Sequence, residues 1–238
     1  MSNTWVLIVL ILISSLPVAA AYIWFRAIKY QFSPVKFLFA LLAGASAFFP
    51  ALFLQDLLNF QLSAGVRTVF FYEFFVRIAL TEEISRLLLL FIFFLIGSVI
   101  KADDSLNSAP TFNTVNRGTA IGLVAGLGFA ILENASYAAS GMDISKALLR
   151  FFPAALHGAC GSRIGAAVVL FRTNPVQALL RILTATAIHG VYNMLISTQQ
   201  SIPSAGAFLI ALSALGTSIM IIRGSNSDPA IDKDPENT

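Results

Sequence analysis

Between Trp5 and Ile222 the sequence is a succession of apolar runs, each about the 20 residues that cross a bilayer as a helix. Laid end to end they are Trp5–Phe25, Val35–Leu54, Phe74–Ile100, Gly118–Ser140, Ala147–Phe171, Val176–Ser197 and Pro203–Ile222. This pattern predicts an all-α fold, a polytopic transmembrane bundle of about seven helices in one domain over residues 1–222. Of the 238 residues 57% are hydrophobic and 11% charged, with a mean hydropathy of +0.81. A soluble domain carries about 25% charged residues, so that class is excluded. The net charge of +3 is too small to point to nucleic acid, and no nucleic-acid partner is expected. The lone Cys160 forbids an intrachain disulfide.

The segments between the runs set the boundaries. No Lys or Arg precedes the first run, which is longer than a secretory core; a retained helix is expected rather than a cleaved signal. Polar residues and aromatics mix between Asp56 and Arg77, which predicts an interfacial helix or turn before the third span. Glu73 and Arg77, four apart, read as a surface ion pair. A polar loop is expected over Lys101–Arg117 and a disordered tail over 223–238. Arg26, Lys29, Lys36, Lys101, Arg117, Arg172, Arg223 and Lys233 gather on one side of this layout. Arg67 and Lys146 lie chiefly on the other. The positive-inside bias then places the N-terminus outside and the C-terminus in the cytoplasm.

Ionisable groups interrupt four of the runs: Glu82 with Glu83, Glu133, His157 and His189, the last two being the only histidines. A charge at the centre of a spanning helix costs on the order of 3 kcal/mol, so three ionised carboxylates would cost roughly 9 kcal/mol if simply additive. Such a cost is tolerated when the groups meet in an internal polar cavity. At helical rise, Glu133 and His189 lie about 22 and 20 Å from the inner face. His157 and Glu82 lie about 15 and 12 Å below the outer face. All four fall in the middle to outer half of a core about 30 Å thick.

Each group has a plain alternative reading. Glu82 and Arg86 share a helix face, and Glu83 points about 100° away. One carboxylate can therefore face a reacting water while its neighbour pairs with a base; the alternative is an ion-paired helix entrance. Gly118, Gly122 and Gly126 form a small-residue stripe, read as close helix packing. Glu133 and Asn134 beyond it have no packing reason to be in lipid. His157, Gly161 and Gly165 recur every four residues, so the imidazole stands on a face another helix can approach. Arg163 is expected to neutralise a buried glutamate. Cys160 reads as a small apolar filler rather than a nucleophile. His189 and Asn193, one turn apart, suit an oxyanion hole, since both donate hydrogen bonds; the alternative is a polar contact between helices.

The set Glu82-Glu83-x-x-Arg86, Gly128-Phe129-Ala130-x-x-Glu133-Asn134, His157 with Gly165, and His189-x-x-x-Asn193 resembles the PrsW family of intramembrane proteases. That family is related to the CAAX-processing (type II) and Abi membrane proteases. The resemblance runs from about Thr81 to Asn193. Family members often carry Lys at the position of Arg86, and the CAAX relatives carry His where this chain has Glu133. The resemblance implies glutamate-dependent peptide hydrolysis, with a catalytic core over about 74–198 and membrane-anchored substrates such as single-span regulators. It also implies a multi-pass protein of a prokaryotic inner membrane.

The expected catalytic residues are Glu82, Glu83, Glu133, His157, His189 and Asn193, with Arg86, Asn134 and Arg163 in support. Either glutamate of the pair can be the general base on water. Glu82 is favoured because Arg86 shares its face. Glu133 would hold the water or act as a second acid or base, His157 would orient it, and His189 and Asn193 would stabilise the oxyanion. No cofactor is favoured. Zinc on His157, His189 and a glutamate stays open, although there is no His-Glu-x-x-His. A proton-coupled transporter or channel using the same Glu and His groups, and a non-catalytic scaffold, are the competing classes.

Overall fold

A computed structural model describes residues 3–30, 32–100, 112–139 and 151–225. Among these residues the structure is entirely helical. The apolar runs become seven rods. The first is α1 (Asn3–Ala27); the second is α2 (Pro34–Ser46) and α3 (Phe48–Leu57), divided at Ala47. The third joins α4 (Val66–Phe71), a π-helical segment (Tyr72–Leu80) and α5 (Thr81–Ile100). The others are α6 (Phe112–Ala139), α7 (Phe151–Leu170), α8 (Pro175–Ser197) and α9 (Ser201–Ser225). Among the described residues four stretches, Pro34–Leu57, Val115–Tyr137, Pro175–Ser197 and Ser201–Gly224, are long and apolar enough to cross a membrane.

Local signals set the rod ends. Ser33 caps α2 by accepting from the Lys36 amide at 3.2 Å, and Pro34 follows in the first turn, where its missing N–H is no loss. Asn174 and Pro175 repeat the device at α8, with the Gln177 amide 3.0 Å from the Asn174 side chain. After α8 the chain reverses within three residues because Gln199 adopts a left-handed φ of 55°, which ends a helix as a C-terminal glycine would.

Three boundaries differ from the sequence reading. The third rod begins at Val66 and runs unbroken into the span, where a separate interfacial element was expected. The reason is geometric: residues 72–80 take i→i+5 bonding, so the polar positions Glu73 and Arg77 are absorbed into a continuous helix. Helix α6 starts at Phe112, inside the expected polar loop, and α9 runs through Ser225, three residues into the expected tail. Residues 101–111, 140–150 and 226–238 lie outside the described residues, as does the start of the predicted Ala147–Phe171 span.

Helix α6 is the centre of the bundle. Its spanning stretch is 78% buried, against 33% for Pro34–Leu57 and 28% for Ser201–Gly224, which turn apolar side chains such as Phe53 and Leu209 outward to lipid. The glycine stripe makes this possible. A β-carbon on Gly122 would lie 2.0 Å from the Gly161 carbonyl oxygen, and one on Gly126 would lie 1.9 Å from that of His157. Helices α6 and α7 thus touch backbone to backbone, the small-residue packing that lipid favours. This contact sets the carboxylate near the end of α6 against the imidazole of α7.

Candidate active site

The site lies at one end of the bundle, where α3, α6 and α8 finish and α7 begins. Glu82 and Glu83 occupy the first turn of α5, directly after the π-helical segment. Thr81 stabilises that junction by donating its hydroxyl to the Arg77 and Ile78 carbonyls at 2.7 and 2.9 Å. Glu83 and Arg86 are completely buried, and Glu82 nearly so.

The two glutamates face different partners. Glu83 Oε1 lies 2.8 Å from Arg86 Nη2 and 2.8 Å from His189 Nδ1. Glu82 Oε2 is farther from the same groups, at 3.4 Å from Arg86 Nη2 and 3.6 Å from His189 Nε2. Arg86 therefore pairs most closely with Glu83, although Glu82 shares its helix face. Arg86 thus reaches Glu82 on the shared face as well as Glu83, and of the two glutamates Glu82 is the one that lines the cavity.

On α7, His157 donates or accepts on both ring nitrogens, with Nε2 2.7 Å from Glu133 Oε2 and Nδ1 3.3 Å from Arg86 Nη2. A guanidinium only donates, so Nδ1 accepts and Nε2–H is the donor to the Glu133 carboxylate. A carboxylate only accepts, so His189 Nδ1–H is the donor to Glu83, and Nε2 is turned toward Glu82. The two imidazole rings meet edge to face, with centroids 5.1 Å apart. Phe129 lies beneath this array, 4.6 Å from the Arg86 guanidinium carbon, in cation–π contact.

A cavity of about 300 Å³ opens on this cluster. Glu82, Glu133, His157 and Asn193 line it, together with Gln55 and Arg77 and an apolar wall that includes Phe48, Phe74 and Ile196. Glu73 and Arg77 form the expected pair, with Arg77 Nε 2.6 Å from Glu73 Oε2. The pair is partly exposed, and Arg77 also lines the cavity. Gln55 was not singled out in the sequence; its amide donates to Glu82 Oε1 at 3.1 Å. Its only sequence signal is a polar side chain closing an apolar run, which reads equally as a helix end at the interface.

Two supporting residues go elsewhere. Arg163 donates to the Ala159 and Ala214 carbonyls at 2.8 and 3.4 Å and to the Ser218 and Thr217 hydroxyls. It docks α9 onto α7, and among the described residues its hydrogen bonds go to these groups rather than directly to a buried glutamate. Asn134 is not among the residues lining the cavity; its amide donates to Ser14 Oγ of α1 at 2.6 Å. Each residue type suited the site, but its direction around the helix axis took it to a neighbouring rod. Cys160 is buried, with Sγ 3.5 Å from the Ala185 carbonyl oxygen, as a packing residue would be.

One donor atom from each of Glu82, His157 and His189 can be chosen so that all three lie within 4.8 Å of one another. Two histidines and a carboxylate are a donor set that catalytic zinc uses, with a fourth position left for water or substrate. Charge argues the same way. With both imidazoles neutral, Glu82, Glu83 and Glu133 set against Arg86 leave two negative charges over, an arrangement that burial penalises by several kcal/mol per ion unless it is compensated. A divalent cation, or two protons, would balance them.

An all-helical protein built of apolar rods, with carboxylates and imidazoles converging on one internal cavity, has the makings of a hydrolase that works within the bilayer. The chain belongs to the PrsW family of intramembrane metalloproteases, which it matches over residues 33–221. No curated protein and no solved structure matches it. Membership makes it an integral membrane protease and implies membrane-anchored protein substrates. The family's metalloprotease description departs from the metal-free preference of the sequence reading.

Proposed function

We propose that the protein cuts peptide bonds of single-span membrane proteins in the cavity at the end of α6, using Glu82, His189 and His157 to hold a divalent cation of the zinc class, with His157 binding through Nδ1 in place of its hydrogen bond from Arg86. The observation that carries this reading is the convergence of those three side chains, from three separate rods, within 4.8 Å. When bound, such a cation polarises the scissile carbonyl and lowers the pKa of a bound water to about 7. The chain's own residues do the rest. Glu83 holds His189 by its Nδ1 proton, fixing the ring so that Nε2 presents its lone pair. Arg86 balances the Glu83 charge from behind.

Glu133 is the group suited to the proton. It lines the cavity, and His157 Nε2–H steadies one of its oxygens at 2.7 Å. It takes a proton from the attacking water as the water oxygen bonds to the carbonyl carbon. It returns that proton to the departing amine as the C–N bond breaks, leaving a carboxylic acid and an amine. Asn193, on the cavity wall one turn from His189, donates its amide to the oxyanion that forms between those events. With the N-terminus outside, this end of the bundle faces the outer side of a prokaryotic inner membrane. The proton-coupled transporter and the non-catalytic scaffold gain no support from the family match.

The test is incubation of purified protein with candidate single-span substrates, read by mass spectrometry, for wild type, Glu82→Gln and His189→Ala. Both variants are expected to fold and to lose cleavage. Normal turnover in either overturns the assignment.

A further inference from the structure

The two oxygens of Glu82 have different surroundings. Oε2 faces Arg86 Nη2 and His189 Nε2 at 3.4 and 3.6 Å, toward the cluster. Oε1 accepts a hydrogen bond from Gln55 Nε2 at 3.1 Å. Gln55 comes from α3, a different rod, and is itself held. Its backbone carbonyl accepts from Arg77 Nη1 at 3.3 Å, and Arg77 is clamped by two guanidinium nitrogens on Glu73, one at 2.6 Å. A polar chain thus runs from Glu73 through Arg77 and Gln55 to the carboxylate that faces the cavity.

The chemistry of the donor matters. An ionised carboxylate only accepts, so the contact uses the amide NH₂ of Gln55. A lysine or arginine there would fix the same oxygen but also neutralise the charge that makes Glu82 a ligand or a base. An amide fixes one oxygen and leaves the charge in place. Partners of this kind orient ligating carboxylates, and their loss typically costs about 10–100-fold in metal affinity or activity.

We propose that Gln55 is a positioning residue for Glu82, holding Oε1 so that Oε2 points at the two imidazoles and the cavity. This rests on the hydrolytic reading above. The variants that test it are Gln55→Met, which keeps length but removes the donor, and Gln55→Glu, which replaces the donor with an acceptor. Three quantities are compared with wild type in detergent: kcat and KM on a single-span substrate, the Zn²⁺ affinity of metal-stripped protein, and the melting temperature.

In both variants kcat and Zn²⁺ affinity are expected to fall about 10–100-fold. KM should stay within about twofold, the pattern of an interaction that serves the reacting groups. The melting temperature should be unchanged. Variants within about threefold of wild type in both kcat and Zn²⁺ affinity overturn the proposal, since a contact that orients a ligating carboxylate is worth more than that. So do losses that track a lowered melting temperature, which would make Gln55 a tie between α3 and α5 only. If wild type cleaves no substrate, the protease reading fails, and the Zn²⁺ affinities of the variants still decide the role of Gln55.

Discussion

Glu83 and His189, 106 positions apart in sequence, meet through a single contact in which Nδ1 lies 2.8 Å from Oε1 in a fully buried setting. The carboxylate only accepts, so Nδ1 carries a proton toward it. It thereby decides that Nε2 is the face His189 turns toward Glu82. A residue whose charge is spent on a neighbour can still govern the site through that neighbour's orientation.

Replacing Glu83 by Gln keeps the shape but removes the charge and turns one of the two acceptor oxygens into a donor. Turnover is expected to fall by about 10–100-fold through misorientation of His189. Stability should fall as well, by about 3–5 kcal/mol, because Arg86 is left buried beside a neutral amide. Glu82→Gln should abolish turnover with a smaller stability loss, since Arg86 keeps its closer partner. Thermal unfolding in detergent alongside cleavage assays checks both; equal stability losses in the two variants would contradict the unequal pairing.

Exhaustive chelation is expected to stop cleavage, and added Zn²⁺ to restore it. Elemental analysis of the purified protein should find about one metal per chain, lost in a Glu82→Ala, His157→Ala, His189→Ala triple variant, as expected for a three-ligand site. Full turnover in metal-free protein would return the mechanism to a carboxylate-only reaction.

Gly122→Leu should disrupt the site from a distance. Even a β-carbon there would sit 2.0 Å from the Gly161 carbonyl, so α6 and α7 must move apart. Overpacking of this kind costs about 1–3 kcal/mol and occasionally more. The Glu133–His157 contact, which depends on that approach, should loosen, and cleavage should fall even at temperatures where the variant remains folded.

Arg163→Met should lower the melting temperature by loosening α9 while leaving kcat near the wild-type value, since its guanidinium binds Ala214, Thr217 and Ser218 rather than a glutamate. A variant that is stable but inactive would restore Arg163 to the reaction.

The rods were legible because each apolar run is long and its ends carry recognisable signals, Ser33-Pro34 and Asn174-Pro175 among them. The shared depth of Glu82, Glu133, His157 and His189 was legible too, because helical rise converts position into height. Direction around the axis was not. Asn134 and Arg163 lie at plausible heights but face α1 and α9, and no single sequence records which neighbour a helix face meets. The π-helical segment hid for a related reason: its i→i+5 bonding changes the angular phase before Glu82, where a pattern reading assumes 3.6 residues per turn. Gln55 was missed because a polar residue at the end of a span looks like a boundary marker.

The position of the cavity, at the finish of α3, α6 and α8, fixes the kind of fragments that scission would yield. Under the proposed reaction, a cut about 12 Å below one face of a core about 30 Å thick leaves one product with the longer part of its anchor, still held in the lipid. The other keeps the shorter part and is the more readily released of the two.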